Sequence, residues 1–343
     1  MLFYLTLMQK IPFIKITAKD NYDFGFKLGK LLSKKIKLRI EKNKKIYYKK
    51  NTIQKAKNFL PNIKKQFPNL LIEAKAISSG AEVPFEDILV LNCEEEILDF
   101  FVPRCTSIAI YSNNKTMILG HNEDWLSTYK KDGLIMINGK IGLNKFLALS
   151  FIGQLPGTSC GLNAYGLAYT VNSLNLNRFC YGIPRNFLLR ALLEAKTLKK
   201  AESIVTIPNR SINANTMLVW KNSTMEDIET LWHRYEIFHG NKCLIHTNHP
   251  LRKKNQHKNN TKKESIIRYK RVLELISNKR KIDTNIIKTI LKDHKAKICS
   301  HIDKKHSKYG VTIASAIINP NKKYMEVCHT NPCKNRYYKY KLE

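Results

Sequence analysis

The sequence predicts an α+β protein in which two packed β-sheets carry helices on their outer faces and a mainly helical segment precedes them. Two observations support this prediction. Apolar residues recur at helical spacing through about the first hundred residues, and from Cys105 onwards they fall into short runs separated by turn residues. Strands followed by a helix pair and further strands are typical of layered α+β domains, because each sheet must bury one face.

Length and composition are those of an ordinary globular protein. The 343 residues suffice for one large domain or two modest ones, and 43% of them are hydrophobic. No apolar run reaches the length of a membrane span. Residues 1–10 are apolar but lack the basic start and the small-residue cleavage site of a signal peptide. They predict a first strand, and we expect a cytoplasmic location.

The N-terminal helices are predicted from three periodic stretches. The first begins after Asp20, which is a suitable N-cap, and continues through the lysine-rich residues up to about position 60. The second stretch covers residues 63–81, and the third covers residues 85–101. Pro103 then imposes an extended conformation on the chain.

The rest of the chain alternates between short strands and a few amphipathic helices. Helices are predicted over residues 184–205, 264–278 and 283–293, and the polar residues 251–263 predict a loop. The runs that predict strands of an antiparallel sheet are SIAIY, TMILG, GLIMING, FLALSFIG, GLAYTVNSL, NTMLVW, IETLWHR, VTIASAIINP and KYMEVCHT.

Cysteine and histidine spacing predicts neither a disulfide scaffold nor a metal site. The eight cysteines are scattered, and no two of them form a CxxC pair. His121, His246 and His249 lie near other polar residues, but no carboxylate or cysteine completes a ligand spacing around them. Cys160 is interpreted as a packed core thiol, with a second reactive thiol as the alternative.

The charge balance is strongly basic. Sixty lysines and arginines oppose 27 acidic residues, which gives a net charge of +33. The lysines are spread over almost every segment, so we expect a solvated surface and no specific nucleic-acid partner. A non-catalytic basic protein that binds nucleic acid or phosphates remains the alternative from another functional class, and its binding would weaken steeply with salt.

One predicted hairpin carries the residues with the most evident chemistry. Cys105 opens the run SIAIY, the polar residues 113–115 form the turn, and the second run ends on Asn122 and Asp124. A hairpin places its two ends side by side, so Cys105 and Asp124 become neighbours. An ordinary core hairpin with a buried cysteine explains the same residues when they are taken alone.

Three further segments favour a functional role for this hairpin. The ordered set is CTS at Cys105, GHNEDW, GLNAYGLAYTVN and TNH, the last three ending near Asp124, Asn172 and Asn248. This set resembles the acyl-coenzyme A:6-aminopenicillanic-acid acyltransferase (isopenicillin N acyltransferase) family of the N-terminal-nucleophile hydrolases. The segments GFKLG near the start and LKDHKAKICSHIDKK with VTIASAIINP near the end also resemble the family.

The resemblance implies a four-layer αββα sandwich that cuts itself before the cysteine. The cut would fall between Arg104 and Cys105, at a position where family members often carry a smaller residue than arginine. Residues 1–104 would remain bound as a mainly helical small subunit, and residues 105–343 would form the αββα catalytic core. The implied reaction cleaves or transfers the acyl group of a small N-acyl compound, with a coenzyme A thioester as one conceivable donor and no other cofactor.

The roles of the site residues follow from this resemblance. Cys105 would be the nucleophile, with its freed α-amine as base because an α-amine has a pKa near 8. Asp124 would hold the amine, and Asn248 would donate an N–H to the oxyanion. Asn172 and Ser315 are weaker candidates for contacts with the oxyanion or the substrate.

Structural interpretations remain open for these residues. Asp124 can cap a turn, Asn248 can belong to a turn before Pro250, and Asn172 can end a strand. Ser315 can be a small residue of a core strand. A choloylglycine-type or peptide amide hydrolase remains an alternative enzymatic function.

Overall fold

The helices described in the protein lie in three groups along the chain, separated by strands. A computed structural model describes residues 10–47, 51–97, 105–174, 180–231, 233–252, 263–277, 279–302 and 310–343. The helices are α1 (Asn21–Tyr47), α2 (Thr52–Lys57), α3 (Leu60–Gln66), α4 (Pro68–Ala81), α5 (Phe85–Asn92), α6 (Glu94–Ile97), α7 (Arg185–Leu192), α8 (Leu198–Val205), α9 (Lys263–Ser277) and α10 (Thr284–Leu291). Within these ranges, no helix has the length and apolarity needed to cross a bilayer.

Fourteen strands in the described part of the chain form two sheets. The eight-stranded sheet has the order β1-β4-β5-β6-β7-β8-β9-β10, and the six-stranded sheet has the order β11-β2-β3-β12-β13-β14. The strands are β1 (Phe13–Ala18), β2 (Thr106–Tyr111), β3 (Met117–Trp125), β4 (Leu134–Ile141), β5 (Asn144–Phe151), β6 (Cys160–Asn163), β7 (Leu167–Ser173), β8 (Ala214–Trp220), β9 (Thr224–Thr230), β10 (Tyr235–Gly240), β11 (Cys243–His246), β12 (Val311–Asn319), β13 (Tyr324–His329) and β14 (Tyr337–Lys341).

Three apolar cores separate four layers. One core packs α1, α4, α5, α7 and α8 on the outer face of the eight-stranded sheet. A second core lies between the sheets, where residues such as Leu149 and Ala316 meet. The third core joins the six-stranded sheet to α9 and α10 through residues such as Ile108 and Ile287. The layer order is therefore αββα, which confirms the predicted fold class.

Small residues bring α1 and α4 into close contact. A Cβ on Gly25 would overlap the carbonyl oxygen of Glu73, and one on Gly80 would overlap the carbonyl oxygen of Phe26. The glycines of the GFKLG segment therefore permit backbone-to-backbone packing of these helices. Asp20 caps α1 as predicted, because its carboxylate accepts a hydrogen bond of 2.8 Å from the Asp23 N–H.

The structure corrects two features of the sequence prediction. Residues 184–205 form α7 and α8 instead of one helix. The Asn163 side chain donates to the carbonyl of Ala195 at 2.8 Å, and the Thr197 hydroxyl accepts from the Lys200 N–H to start α8. The sheets are also not wholly antiparallel, because β1 pairs with β4 in parallel. Most of the strand predicted for residues 1–10 lies outside the described residues.

Candidate active site

The β2–β3 hairpin forms as predicted and fixes the position of Cys105. Thr106 pairs with Asn122 across the hairpin, so Cys105, one residue before β2, lies beside Glu123. Side chains alternate between the faces of a sheet. Cys105, Ser107 and Glu123 therefore point toward the space between the two sheets, whereas Asn122 points toward α10 and donates to the carbonyls of Leu291 and Ile298.

The thiol of Cys105 is buried among acidic groups. Its Sγ lies 3.6 Å from Glu123 Oε1 and 3.8 Å from the backbone oxygen of Asp124. Burial is the main reason that the pKa of the Cys105 thiol lies well above its ordinary value, and the negative charges of Glu123 and Asp124 raise this pKa further. The positive charge of Arg268 acts in the opposite direction. This thiol is therefore protonated at neutral pH.

Glu123 begins a chain of buried hydrogen-bonding groups. Its Oε2 lies 3.4 Å from His121 Nε2, and His121 Nδ1 lies 2.9 Å from Ser107 Oγ. Burial acts to raise the pKa of Glu123, but the hydrogen bond and charge of His121 outweigh it, so this pKa is lowered. The Ser107 hydroxyl donates to Asn172 Oδ1 at 3.0 Å and accepts from the Thr170 hydroxyl at 2.9 Å. These contacts join the two sheets beneath the cysteine.

Arg268 links the cysteine to Asn248. One nitrogen of its guanidinium donates to the backbone oxygen of Cys105 at 2.6 Å and to the Thr106 hydroxyl at 3.1 Å. The other terminal nitrogen donates to Asn248 Oδ1 at 2.7 Å. Arg268 is 2% exposed, so its planar fork holds all three acceptors in the buried interior.

Both asparagines proposed for the oxyanion lie in this interior. Asn248 Nδ2 donates to the carbonyl of Ser173 at 3.0 Å, and Asn172 Nδ2 donates to the carbonyl of His246 at 3.2 Å. A carboxamide has two N–H groups. Each side chain is thus held in place through one of them.

Cys105, Asp124, Asn172 and Asn248 lie together, whereas Ser315 lies elsewhere. Ser315 pairs with Asn122, and residues directly opposite in an antiparallel pair share a face. Its hydroxyl lies 2.8 Å from the Tyr337 hydroxyl on the side that faces the helices. Arg104, the residue before the predicted cut, is outside the described residues.

Glu123 and Arg268 are the site residues that the sequence analysis missed. Arg268 had a detectable signal, since Ser265, Arg268 and Val272 form the buried stripe of α9. A basic residue on the apolar face of a predicted helix indicates a buried partner. Glu123 is next to Asp124 in GHNEDW, and the strand register decides which of the two carboxylates lies beside the thiol.

A small cleft adjoins Glu123 and contains several charged groups. Arg185 forms ion pairs with Glu95 at its edge, and the Arg185 N–H donates to Glu96 at 2.7 Å. The residues that line the cleft are Glu94, Glu95, Glu123, Trp125, Phe151, Gln154, Arg185 and Asn186.

The chain is similar in sequence to known proteins. The family model described as acyl-coenzyme A:6-aminopenicillanic acid acyl-transferase matches residues 111–334, which is more than half of the chain. The beta-alanyl-dopamine/carcinine hydrolase of Drosophila melanogaster is 26% identical over 220 residues, which are 56% of each chain. This chain therefore matches little more than half of that relative's length.

Solved structures give weaker similarities. A Caenorhabditis elegans ortholog of N-acylethanolamine-hydrolyzing acid amidase has 16% identity and a TM-score of 0.49, over 63% of this chain and 93% of that one. A mutant conjugated bile acid hydrolase from Clostridium perfringens has 14% identity and a TM-score of 0.45, over 70% and 97% of the respective chains.

The family match includes Asn122, Asp124, Asn172 and Asn248 and begins after Cys105. It agrees with the observed αββα layering and with the ordered segments in the sequence. The chain therefore belongs to the acyl-coenzyme A:6-aminopenicillanic acid acyl-transferase family.

Proposed function

We propose that the chain is a self-processing cysteine amidohydrolase or acyltransferase whose nucleophile is Cys105. The observation that carries this proposal is the position of Cys105 at the start of β2, beside Glu123 and Asp124 and joined to Asn248 by the Arg268 fork. The nucleophile, the two carboxylates, the amide donor and the arginine that links them come from four different parts of the chain. Packing a core does not require this convergence of buried polar groups.

Self-processing would begin with attack of the Cys105 sulfur on the carbonyl carbon of residue 104. The peptide C–N bond breaks, the nitrogen of Cys105 takes a proton, and water hydrolyses the resulting thioester to a carboxylate and a free thiol. Before the cut the thiol has a raised pKa and no amine beside it. The cut therefore supplies the base that activates the thiol.

In the mature enzyme, the α-amine of Cys105 would take the thiol proton. The thiolate attacks the acyl carbon of the substrate, and the ammonium returns the proton to the leaving amine. The second N–H of Asn248 or Asn172 would donate to the oxyanion, an effect worth about 3 kcal/mol in comparable sites. Asp124 would hold the ammonium, and water or an amine then receives the acyl group from the thioester.

Contacts across residue 104 support continued association of the two fragments. β1 pairs with β4 over six residues, and Glu73 of α4 accepts two hydrogen bonds of 2.8 Å from Arg190 of α7. Both of these side chains are fully buried. We therefore expect residues 1–104 to co-purify with residues 105–343 after the cut.

We infer that the cleft beside Glu123 admits small amides. Three of its lining residues are glutamates and one is Arg185, so we expect it to favour a substrate with a cationic amine over an anionic one. Carcinine, which the Drosophila relative hydrolyses by name, has such an amine. A substrate panel would distinguish this preference from the alternatives. Faster reaction of a coenzyme A thioester, or of a choloylglycine-type or peptide amide, would be the contrasting outcome. Free thiols at all eight cysteines support a reducing, cytoplasmic location.

Intact mass under denaturing conditions tests the proposal. We expect the wild type to give two fragments that meet at the boundary between residues 104 and 105, and Cys105→Ala to remain one chain. Cys160→Ala is the matched control, because Cys160 is also fully buried and burial also raises its pKa. It should process normally. A wild type that stays intact would refute self-processing.

Activity needs a separate measurement. Wild type and Cys160→Ala should release amine from carcinine faster than from an uncharged N-acyl analogue, and Cys105→Ala should release none. Adding an acceptor amine distinguishes transfer from hydrolysis. Nucleic-acid binding that persists in Cys105→Ala, together with no amidase or thioesterase activity in the wild type, would favour the non-catalytic alternative.

A further inference from the structure

A second group of cysteine and histidine side chains lies away from the nucleophile. His294, Cys299 and His301 belong to the segment after α10, and Cys333 belongs to the connection between β13 and β14. Their ligand atoms all lie within 4.8 Å of one another. We propose that these four side chains form a structural site for a tetrahedral divalent ion of the zinc class. This proposal does not depend on the proposed function.

The distances within the group match a tetrahedral ion. Zinc–sulfur bonds of about 2.3 Å and zinc–nitrogen bonds of about 2.05 Å require edges of about 3.8 Å for S–S, 3.3 Å for N–N and 3.6 Å for S–N. The two sulfurs are 3.6 Å apart, and the Nε2 atoms of His294 and His301 are 3.2 Å apart. His301 Nε2 lies 3.6 Å from Cys299 Sγ and 3.2 Å from Cys333 Sγ.

The donor set has the chemistry of a closed structural site. Two thiolates and two imidazoles are a usual zinc set, and four protein ligands leave no position for substrate or water. Binding releases the two thiol protons to solvent and forms two metal–sulfur bonds, so the site has no net charge with zinc. The two cysteines are free thiols, available for this coordination.

Groups around the ligands orient them. The Asn331 side chain donates to Cys299 Sγ at 3.4 Å and to the carbonyl of Ser300 at 2.7 Å. Lys130 Nζ donates to Asn331 Oδ1 at 2.9 Å and places a positive charge near the sulfurs. Hydrogen bonds to ligand atoms and nearby cations are typical of the groups that surround thiolate metal sites.

The ion would fix a segment that supports the catalytic strand. Between the ligands, the carbonyl of Ile298 accepts from the Asn122 side chain, and the carbonyl of Ser300 accepts from the Thr312 N–H at 3.0 Å. Thr312 pairs with Asp124. The segment has no strand pairing of its own, so a metal cross-link to Cys333 would hold it against β3.

Cobalt binding tests the site on the full chain. The protein is purified under reducing conditions, its metal content is measured, and the metal-free form is titrated with Co²⁺. We expect one equivalent to give the intense visible bands of tetrahedral cobalt together with sulfur-to-cobalt charge transfer. Zn²⁺ should abolish these bands by displacement and should raise the melting temperature of the metal-free protein.

Two variants and one control keep the result interpretable. Cys333→Ser should remove the charge-transfer band or weaken Co²⁺ binding at least a hundredfold. His294 is exposed, so His294→Ala will fold, and it should weaken binding at least tenfold. Cys243→Ser replaces another half-buried thiol and should bind as the wild type does.

Three results would overturn the proposal. The first is reduced wild type that shows no tetrahedral cobalt spectrum. The second is binding that Cys333→Ser and His294→Ala leave unchanged. The third is a disulfide between Cys299 and Cys333 in protein purified without oxidant.

Discussion

Two cysteine groups lie near the end of β3, one formed by Cys105 alone and the other by Cys299 and Cys333. The residues that surround them differ in charge. The Cys105 thiol contacts Glu123 and the backbone of Asp124, whereas Cys299 and Cys333 contact imidazoles and the carboxamide of Asn331. Nearby carboxylates oppose the formation of a thiolate. A metal cation that histidines help to bind favours it. The neighbours of Cys105 therefore favour the protonated thiol, whereas those of Cys299 and Cys333 suit a metal ion.

The two groups also differ in how they are held. Cys105 precedes a strand that is paired on both sides, and Arg268 binds its carbonyl from α9. Cys299 and Cys333 lie on connections between elements, where no ladder of hydrogen bonds fixes them. Burial alone does not separate these roles, because Cys93 and Cys160 are as fully buried as the nucleophile candidate. The charge and the rigidity of the neighbouring groups distinguish the two roles.

The largest expected effect comes from removing the Arg268 fork. Arg268→Met would leave the Cys105 carbonyl, the Thr106 hydroxyl and Asn248 Oδ1 without this buried charged donor. We expect a loss of at least about 3 kcal/mol in the free energy of unfolding, since three hydrogen bonds to a charged group are lost and each contributes about 1.5–3 kcal/mol before the interior relaxes. Self-processing should also slow at least a hundredfold. Chemical denaturation and intact mass measure the two effects.

Arg271→Met on the same helix is the control for this prediction. Arg271 pairs with Glu274 and Asp293 at the surface, so its loss should change stability far less and leave processing intact. Equal effects of the two substitutions would show that Arg268 only stabilises α9.

The next effect concerns Glu96, which accepts a hydrogen bond from the N–H of Arg185, a residue that lines the cleft beside Glu123. Burial is the main reason that the pKa of Glu96 is raised from 4.5 to about 7. The native state then keeps a proton that the unfolded state has lost, so the contribution of Glu96 is full below pH 4.5 and is lost as the pH rises through about 7. The difference of 7 − 4.5 = 2.5 pH units corresponds to about 3 kcal/mol.

Glu96→Gln should remove this loss of stability with rising pH. It should also keep an acceptor for the Arg185 N–H. Relative to wild type, the variant should gain stability between pH 5 and 8, measured by urea denaturation at several pH values, by about 3 kcal/mol at the upper end. Glu86→Gln is the control, because a lowered pKa at Glu86 predicts no gain there. A gain that does not depend on pH would contradict the assignment.

Much of the fold was predictable because it rests on local patterns. The hairpin around Cys105, the cap at Asp20 and helices α9 and α10 follow apolar periodicity and turn residues. β10 and β14 were missed because their sequences are mostly polar or aromatic and both strands lie at sheet edges. The break between α7 and α8 depends on Asn163, which is distant in sequence and therefore invisible to local patterns.

The site was predictable only where its residues belong to ordered segments. Cys105, Asp124, Asn172 and Asn248 were found through these segments, and the structure brings them together. The register that places Glu123 beside the thiol depends on tertiary pairing. The group around Cys299 was missed because Cys333 lies 34 residues further along the chain and no short spacing joins the four ligands.

A smaller effect is expected at the second cysteine group. Asn331→Ala removes the hydrogen bonds to Cys299 Sγ and the Ser300 carbonyl, so the dissociation constant for Co²⁺ should rise about 10- to 100-fold. Asn335→Ala is the control on the same turn, because the Asn335 side chain donates to the Thr330 hydroxyl and to the backbone oxygen of Asn331, which Asn331→Ala retains. Similar losses in both variants would mean that the turn, and not the ligand contact, sets the affinity.

The smallest effect concerns the charge beside the nucleophile. Glu123 Oε1 lies 3.6 Å from Cys105 Sγ, and its negative charge is the second cause of the raised thiol pKa after burial. Glu123→Gln removes that charge and should lower the pKa of the thiol, which makes alkylation faster at a given alkaline pH. Iodoacetamide labelling of the Cys105 peptide across pH, in the uncut chain, measures this shift. Glu229→Gln also removes a buried carboxylate that contacts a histidine, 3.0 Å away, and should leave the Cys105 profile unchanged. If both variants shift the profile equally, general loosening of the interior explains the reactivity, and the contrast in local charge between the two cysteine groups loses its support.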